Sequence, residues 1–401
     1  MPTQPKRNPD FGAKTKGLCI FIESLNLMDL ALEQKRKSKT ISFSLVRRRK
    51  RKVSLPALLA IAQPLTIIKR ERMKIKNIIY LFIFLPFVTY SQEKSGYYIN
   101  WDINHAETFV KPSIPISKEE AKIINCYFVE FDNKNRLISV KYFFSGKPSN
   151  YSNFGAFELI REYHSGYVTE KYKNTLGEFV ENSSKAHERK YYLNSDGYWT
   201  RKENYNNGEL LPEGIAFSQV TRNEKNEIAT EIQFSSKGDT IPDVNGFKIV
   251  HFLYNKDGLT LHRQNKNGKG EIINGSNGYA TVIFQFDQNG MFFEEQFLDE
   301  NNKLFLHPRF DLAKINWREF NKYGKPSRIY YMNSIGYPHE NRAFGIIKYR
   351  LNMTRESITY YDRYGERTVD GNGVAMSVYN YNSEGKYLGK TNFDIENNKV
   401  E

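Results

Sequence analysis

The sequence predicts an all-β protein built from tandem antiparallel β-hairpin repeats that form a twisted or superhelical array. Three observations predict it. A turn landmark recurs at Asn135, Gly166, Gly197, Asn226, Gly258, Gly290, Gly324, Met353 and Gly385, at spacings of 29 to 34 residues. Tyr and Phe number 27 and 28 against three Trp, an aromatic density suited to pleated, half-buried strands. Period-two alternation separates Ile228, Thr230, Ile232 and Phe234 from Ala229, Glu231 and Gln233, as a half-buried strand requires.

The 401 residues divide unevenly by charge. Residues 1–72 hold 17 Lys or Arg and 5 Asp or Glu, so this leader carries +12 of the formal +14 and leaves about neutral balance beyond it. The repeat region is therefore no nucleic-acid surface, and the basic clusters 35–39 and 47–52 are confined to the leader. From Met73 a secretory signal pattern begins: Lys74 and Lys76, the apolar run 78–88, then Thr89-Tyr90-Ser91 before Gln92. The run is too short to span a bilayer, which takes roughly 20 apolar residues. The expectation is a cleaved signal over 73–91, no permanent membrane span, and a leader 1–72 that is a misplaced start or a disordered arm. A long basic n-region or a second membrane-associated segment is the rival account.

Residues 92–120 read as an entry segment, irregular around Pro112 and Pro115, with a capping box at Ser117-Lys118-Glu119-Glu120 that starts one short helical turn. About nine repeats of ~31 residues then fill 121–401. In six of them an aromatic stands four residues before the landmark: Phe131, Tyr254, Phe286, Phe320, Tyr349 and Tyr381. An Asn-Gly or Asp-Gly end to that stretch predicts a type I′ turn, which needs positive φ at both central residues. A second landmark follows at Gly146, Gly177, Gly208, Gly238, Gly268, Asn302, Gly336, Gly365 and Asn397. Between the two there is room for one strand of about eight residues. Most of these strands carry an aromatic shortly before the second turn, including Tyr142, Tyr172, Tyr205, Phe234, Phe297, Tyr331, Tyr361 and Phe393. Asn245-Gly246-Phe247, Asn277-Gly278-Tyr279 and Asn372-Gly373-Val374 restart the next unit. Stretch 247–254, apolar on both faces, is expected to lie centrally. About eighteen strands result, more than one flat sheet sustains, so a coiled array is expected, with a closed propeller as the alternative.

The tandem aromatic-Asp/Asn-x-x-Gly units, as in Phe286-Asp287-Gln288-Asn289-Gly290 and Tyr381-Asn382-Ser383-Glu384-Gly385, resemble the YD-type and MORN-like repeats of bacterial exported proteins over roughly residues 121–401. The period is longer than the units usual in those families. The resemblance implies a β-hairpin array in a surface or envelope protein and carries over no functional residue.

Catalytic and metal patterns are missing from the sequence: no His-Glu-x-x-His, Cys-x-x-Cys, Gly-x-Ser-x-Gly, phosphate loop or dinucleotide fingerprint. No catalytic, cofactor-binding or metal site is assigned, no cofactor is expected, and the chain is read as not an enzyme. His105, His164, His187, His251, His262, His307 and His339 are scattered. Cys126 is the only cysteine after the signal and reads as a small buried hydrophobe. Asn194-Ser195-Asp196-Gly197 and Asp299-Glu300-Asn301-Asn302 gather oxygens, but turn chemistry explains them without calcium. Glu294 and Glu295 are adjacent on a strand, point to opposite faces and cannot converge on one bond. The function expected is an exported, non-catalytic binding or structural module of the bacterial envelope or exterior, with a protein or glycan partner. The glycan alternative uses surface aromatics, with Tyr198-Trp199 and Trp317 as candidates; against it, these rings simply fill the core. Three or more aromatics along one groove would favour glycan.

Overall fold

In a computed structural model, residues 95–101, 113–255, 259–287 and 291–400 are described. The basic leader, the signal pattern, His105 and the turns at 256–258 and 288–290 lie outside these residues.

The described chain is all-β: 24 strands hydrogen-bond into one open antiparallel sheet. Nine hairpins form its length, each pairing two strands close in sequence. They are β3 (Cys126–Phe131) with β4 (Leu137–Phe144), β6 (Glu158–Tyr163) with β7 (Tyr167–Lys173), and β8 (Glu188–Leu193) with β9 (Trp199–Asn206). Next come β11 (Phe217–Arg222) with β12 (Ile228–Phe234), β14 (Ile249–Tyr254) with β15 (Thr260–Asn265), and β16 (Thr281–Phe286) with β17 (Phe292–Leu298). The last three are β18 (Lys314–Phe320) with β19 (Pro326–Met332), β20 (Phe344–Tyr349) with β21 (Arg355–Tyr361), and β22 (Met376–Tyr381) with β23 (Tyr387–Phe393). Successive hairpins pair edge to edge, as β7 does with β8 (Val168 opposite Tyr191). The short strands β5 (Lys147–Pro148), β10 (Glu209–Leu210), β13 (Thr240–Ile241) and β24 (Lys399–Val400) fold back on their predecessors.

The entry segment differs from the irregular chain expected. β1 (Gly96–Asn100) pairs with β3, and β2 (Ser113–Ile116) pairs with β1. Pro115 is accommodated because β2 is an edge strand, where a missing N–H breaks no ladder. Helix α1 (Lys118–Ala121) follows with a complete capping box: Ser117 Oγ accepts from Glu120 N while the Glu120 carboxylate accepts from Ser117 N.

The turns are built differently from the type I′ expectation. An Asn or Asp starts most of them, and its Oδ1 accepts two backbone N–H groups, as Asp132 does from Lys134 and Arg136 and Asn382 does from Glu384 and Lys386, whereas the β6–β7 turn starts at His164. Only the last turn residue has positive φ: Asn135 59°, Gly197 82°, Met353 66°, Gly385 91°. The register slips beside several of these turns, at Glu130/Phe131, Tyr192/Leu193 and Asn380/Tyr381. This is a type I turn closed by a G1 bulge, a three-residue hairpin connection. Paired positive φ, the I′ signature, occurs at Ser145-Gly146 and Asn207-Gly208. In the fifth unit the left-handed residue is Gly270, not Gly268, because the turn starts at Asn267.

The bulges also decide which face points inward. In β12 a slip opposite Arg222 inverts the face inferred from alternation. Glu231 faces the core between Val220 and Val250, while Ile232 and Phe234 lie on the other face. β14 is central in strand order, yet Leu253 is exposed, so only one of its faces is covered. One continuous core runs from Val168 through Trp199, Phe247, Tyr279, Phe297, Tyr331 and Ile358 to Tyr379. A second core at the N-terminal end gathers Trp101, Val129, Leu137, Leu159 and Tyr172.

Charged side chains also point into the coil and are paired across strands. Arg161, Glu170, Arg189 and Asn204 stand opposite one another on β6 to β9. Glu170 accepts from Arg161 at 2.9 Å and from Arg189 at 3.4 Å, and Asn204 accepts from Arg189 at 2.9 Å. Burial opposes ionisation of Glu170, but Arg161 and Arg189 outweigh it and hold the carboxyl below its ordinary value.

Candidate functional site

The sheet winds back on itself, so that the first hairpin meets the turns of the last three. Glu120 forms an ion pair with Lys322 at 2.7 Å and accepts from Tyr323 Oη. Asn125 N donates to Asn352 O, Asn352 Nδ2 to Ser145 Oγ, and Ser149 Oγ to Glu384 O. Gly385 lies flat on the Phe144 ring, where a Cβ would overlap it. These contacts form a seam between strand ends, with no ladder hydrogen bonds across it. Lys322 together with the Ser117 and Tyr323 hydrogen bonds lowers the Glu120 carboxyl to about 2.

A cavity of about 660 Å³ opens at this seam. Ten of its lining side chains are aromatic: Tyr142, Phe144 and Tyr151 from the first unit, and Phe292, Trp317, Phe320, Tyr349, Tyr379, Tyr381 and Tyr387 from the later ones. Phe320, Tyr349 and Tyr381 are the aromatics that precede the repeat landmark. They line the same cavity as Tyr142 of the first unit. Trp317 lies 4.9 Å from Phe292 between ring centroids, and Tyr381 lies 5.6 Å from Tyr387, both tilted pairs. Tyr349 Oη donates to Pro326 O at 2.9 Å, and burial pushes its hydroxyl up to about 12. Among the described residues of the wall the cations are Lys325 and Arg355, and none is Asp or Glu.

The residues singled out from sequence divide clearly. Trp317 is half-buried and faces the cavity. Trp199 is 2% exposed and belongs to the core, and Tyr198 lies beneath the Arg222 guanidinium at 5.0 Å. Cys126 is fully buried, and burial pushes its thiol up to about 12. Asn194 and Asp299 spend their Oδ1 atoms on turn N–H groups. Among the described residues no group of three or more His, Cys, Asp or Glu is placed to hold a metal ion. Glu294 binds Asn316 and Lys314 on one face of β17, while Glu295 faces the core. Arg355 carried no sequence signal, since arginines occupy strands throughout the array and only the fold shows which ones lack an acid.

No family model matches the chain, and no curated protein matches it at a significant level. Among solved structures it is similar to TcdB2-TccC3-TEV at 9% identity and a TM-score of 0.22, over 71% of this chain and 17% of that one. It therefore spans well under two thirds of the length of that structure. It is also similar to a porin-like protein from Bacteroides uniformis at 10% identity and a TM-score of 0.24, over 58% of this chain and 86% of that one. Both TM-scores are too low for either likeness to assign a fold or an activity. No helix among the described residues is long and apolar enough to cross a membrane.

Proposed function

We propose that this chain is an exported, non-catalytic binding module of the bacterial envelope or exterior, and that its ligand at the seam is a saccharide. The observation that carries the reading is the convergence of ten aromatic side chains on one cavity, with no carboxylate among the described residues of its wall. Aromatic faces stack on the C–H faces of sugar rings, and phenol and indole groups at the wall supply hydrogen bonds. Glycoside hydrolysis calls for paired carboxylates, so binding without turnover is the chemistry this wall supports. Export rests on the signal pattern at 73–91.

Two measurements test the two halves of the reading. The full chain applied to a glycan array is expected to bind at least one saccharide class, with the signal lost in Trp317→Ala; a folded chain that binds none returns the function to protein contact through the open sheet edges. Mass spectrometry of the N-terminus in the native host is expected to find a start at Gln92. A cytosolic protein beginning at Met1 overturns export.

A further inference from the structure

The interior arginines follow one pattern, and Arg355 departs from it. Arg161 and Arg189 share Glu170, Arg263 pairs with Asp243 at 2.7 Å, and Arg342 sits 3.7 Å from Asp370. Others donate to backbone carbonyls: Arg222 to Trp199 O and Asn226 O, and Arg350 to Tyr379 O. Arg355 has neither. Its Nη1 donates to Tyr379 Oη at 3.1 Å, and the guanidinium stands 5.0 Å from the centre of that ring, beside Tyr349. No carboxylate among the described residues forms an ion pair with it. Arg355 is half-buried, and a guanidinium partly withdrawn from water, with only neutral partners among the described residues, is stabilised when an anion completes it.

That group lies in the wall of the seam cavity, among rings that can stack on a sugar. Among the described residues that line the cavity the charged ones are Arg355 and Lys325, both cations. A planar guanidinium matches a carboxylate through two parallel N–H···O bonds, which a neutral hydroxyl cannot reproduce. We propose that the seam cavity selects acidic saccharides, sugars bearing a uronate carboxylate, with the carboxylate on Arg355 and the sugar rings against Trp317, Tyr381 and Tyr387. This inference rests on the saccharide reading and narrows it to one class.

The test titrates the full chain with tetragalacturonate and, separately, with neutral cellotetraose and maltotetraose. The readouts are calorimetry and tryptophan emission, in which Trp317 is the indole at the site while Trp101 and Trp199 are buried in the two cores. The acidic tetramer is expected to bind at least about 10-fold more tightly than either neutral one, a step set by the charge-assisted pair. Arg355→Gln is expected to remove that preference while leaving weak stacking-driven binding, and Arg355→Lys to restore part of it. Thermal melts check that the variants remain folded. Equal binding of acidic and neutral tetramers, or a preference unchanged in Arg355→Gln, overturns the inference and leaves the saccharide reading standing. Binding of none of the three by folded protein overturns both.

Discussion

Glu295 is 1% exposed, stands opposite Phe284 and Ile315 in the ladder, and its Oε2 has no hydrogen-bond partner. Burial pushes its carboxyl up to about 8, with Arg263 opposing only weakly. Between the ordinary carboxylate value and about pH 8 the folded chain therefore holds a proton that the unfolded chain releases. The stabilisation is full at the acid end of that window and is lost as pH rises through about 8. Urea melts at pH 5, 7 and 9 are expected to show the native protein losing up to a few kcal/mol relative to Glu295→Gln. Parallel profiles for the two would mean that the carboxyl is already ionised in the fold. The sequence showed that Glu294 and Glu295 face opposite ways. Both are buried, and the sequence did not show which of them is left without polar partners, because Phe292, Phe293 and Phe297 surround both with apolar neighbours.

At the scale of the hairpin, left-handed glycines at different turns do different work. Gly177 has φ +84° with open space where a Cβ would sit, whereas Gly385 has φ +91° and faces the Phe144 ring. Gly177→Ala is expected to cost about 1 to 2 kcal/mol, the penalty of a left-handed residue with a Cβ. Gly385→Ala adds a steric overlap and separates the first unit from the ninth, so its loss in melting temperature is expected to be clearly the larger. Equal losses would mean that the seam contributes nothing to stability. The turns were the most legible elements, since every described first-landmark residue does have positive φ. Their type was not legible, because the Asn or Asp side chain that completes a type I turn and the Asn-Gly pair of a type I′ turn draw on the same letters. Nor was the aromatic before the second turn a guide to face. Tyr172, Phe297 and Tyr331 are buried, while Phe234 stacks on Phe217 and Tyr361 on Phe344 at half-buried positions.

For the whole molecule the deciding contacts join residues more than 200 positions apart, as between Ser149 and Glu384 or Asn352 and Ser145. No period or local pattern encodes such a pairing; it follows from the accumulated twist of many hairpins. The winding of the array was therefore predictable, and the cavity where it completes itself was not. Deleting residues 374–401 removes Tyr379, Tyr381, Tyr387 and Gly385 while leaving the eighth hairpin paired with the seventh. Because such arrays are held by neighbour contacts, the remainder is expected to fold, with tryptophan emission shifted to the red as Trp317 meets water. Unchanged emission would place Trp317 elsewhere than at the seam.

The open edges carry a consequence for how such a gene can change. A barrel fixes its strand number by closure, but a spiral with free ends can gain or lose one unit of about 31 residues by duplication or slippage and still fold. The outer surface then grows or shrinks in proportion. The cavity does not, because it exists only when enough units bring a later turn back over the first. Unit number thus acts on ligand binding as a threshold, and a duplication upstream of the seventh hairpin would replace Trp317 and Arg355 at the seam with residues from an earlier unit.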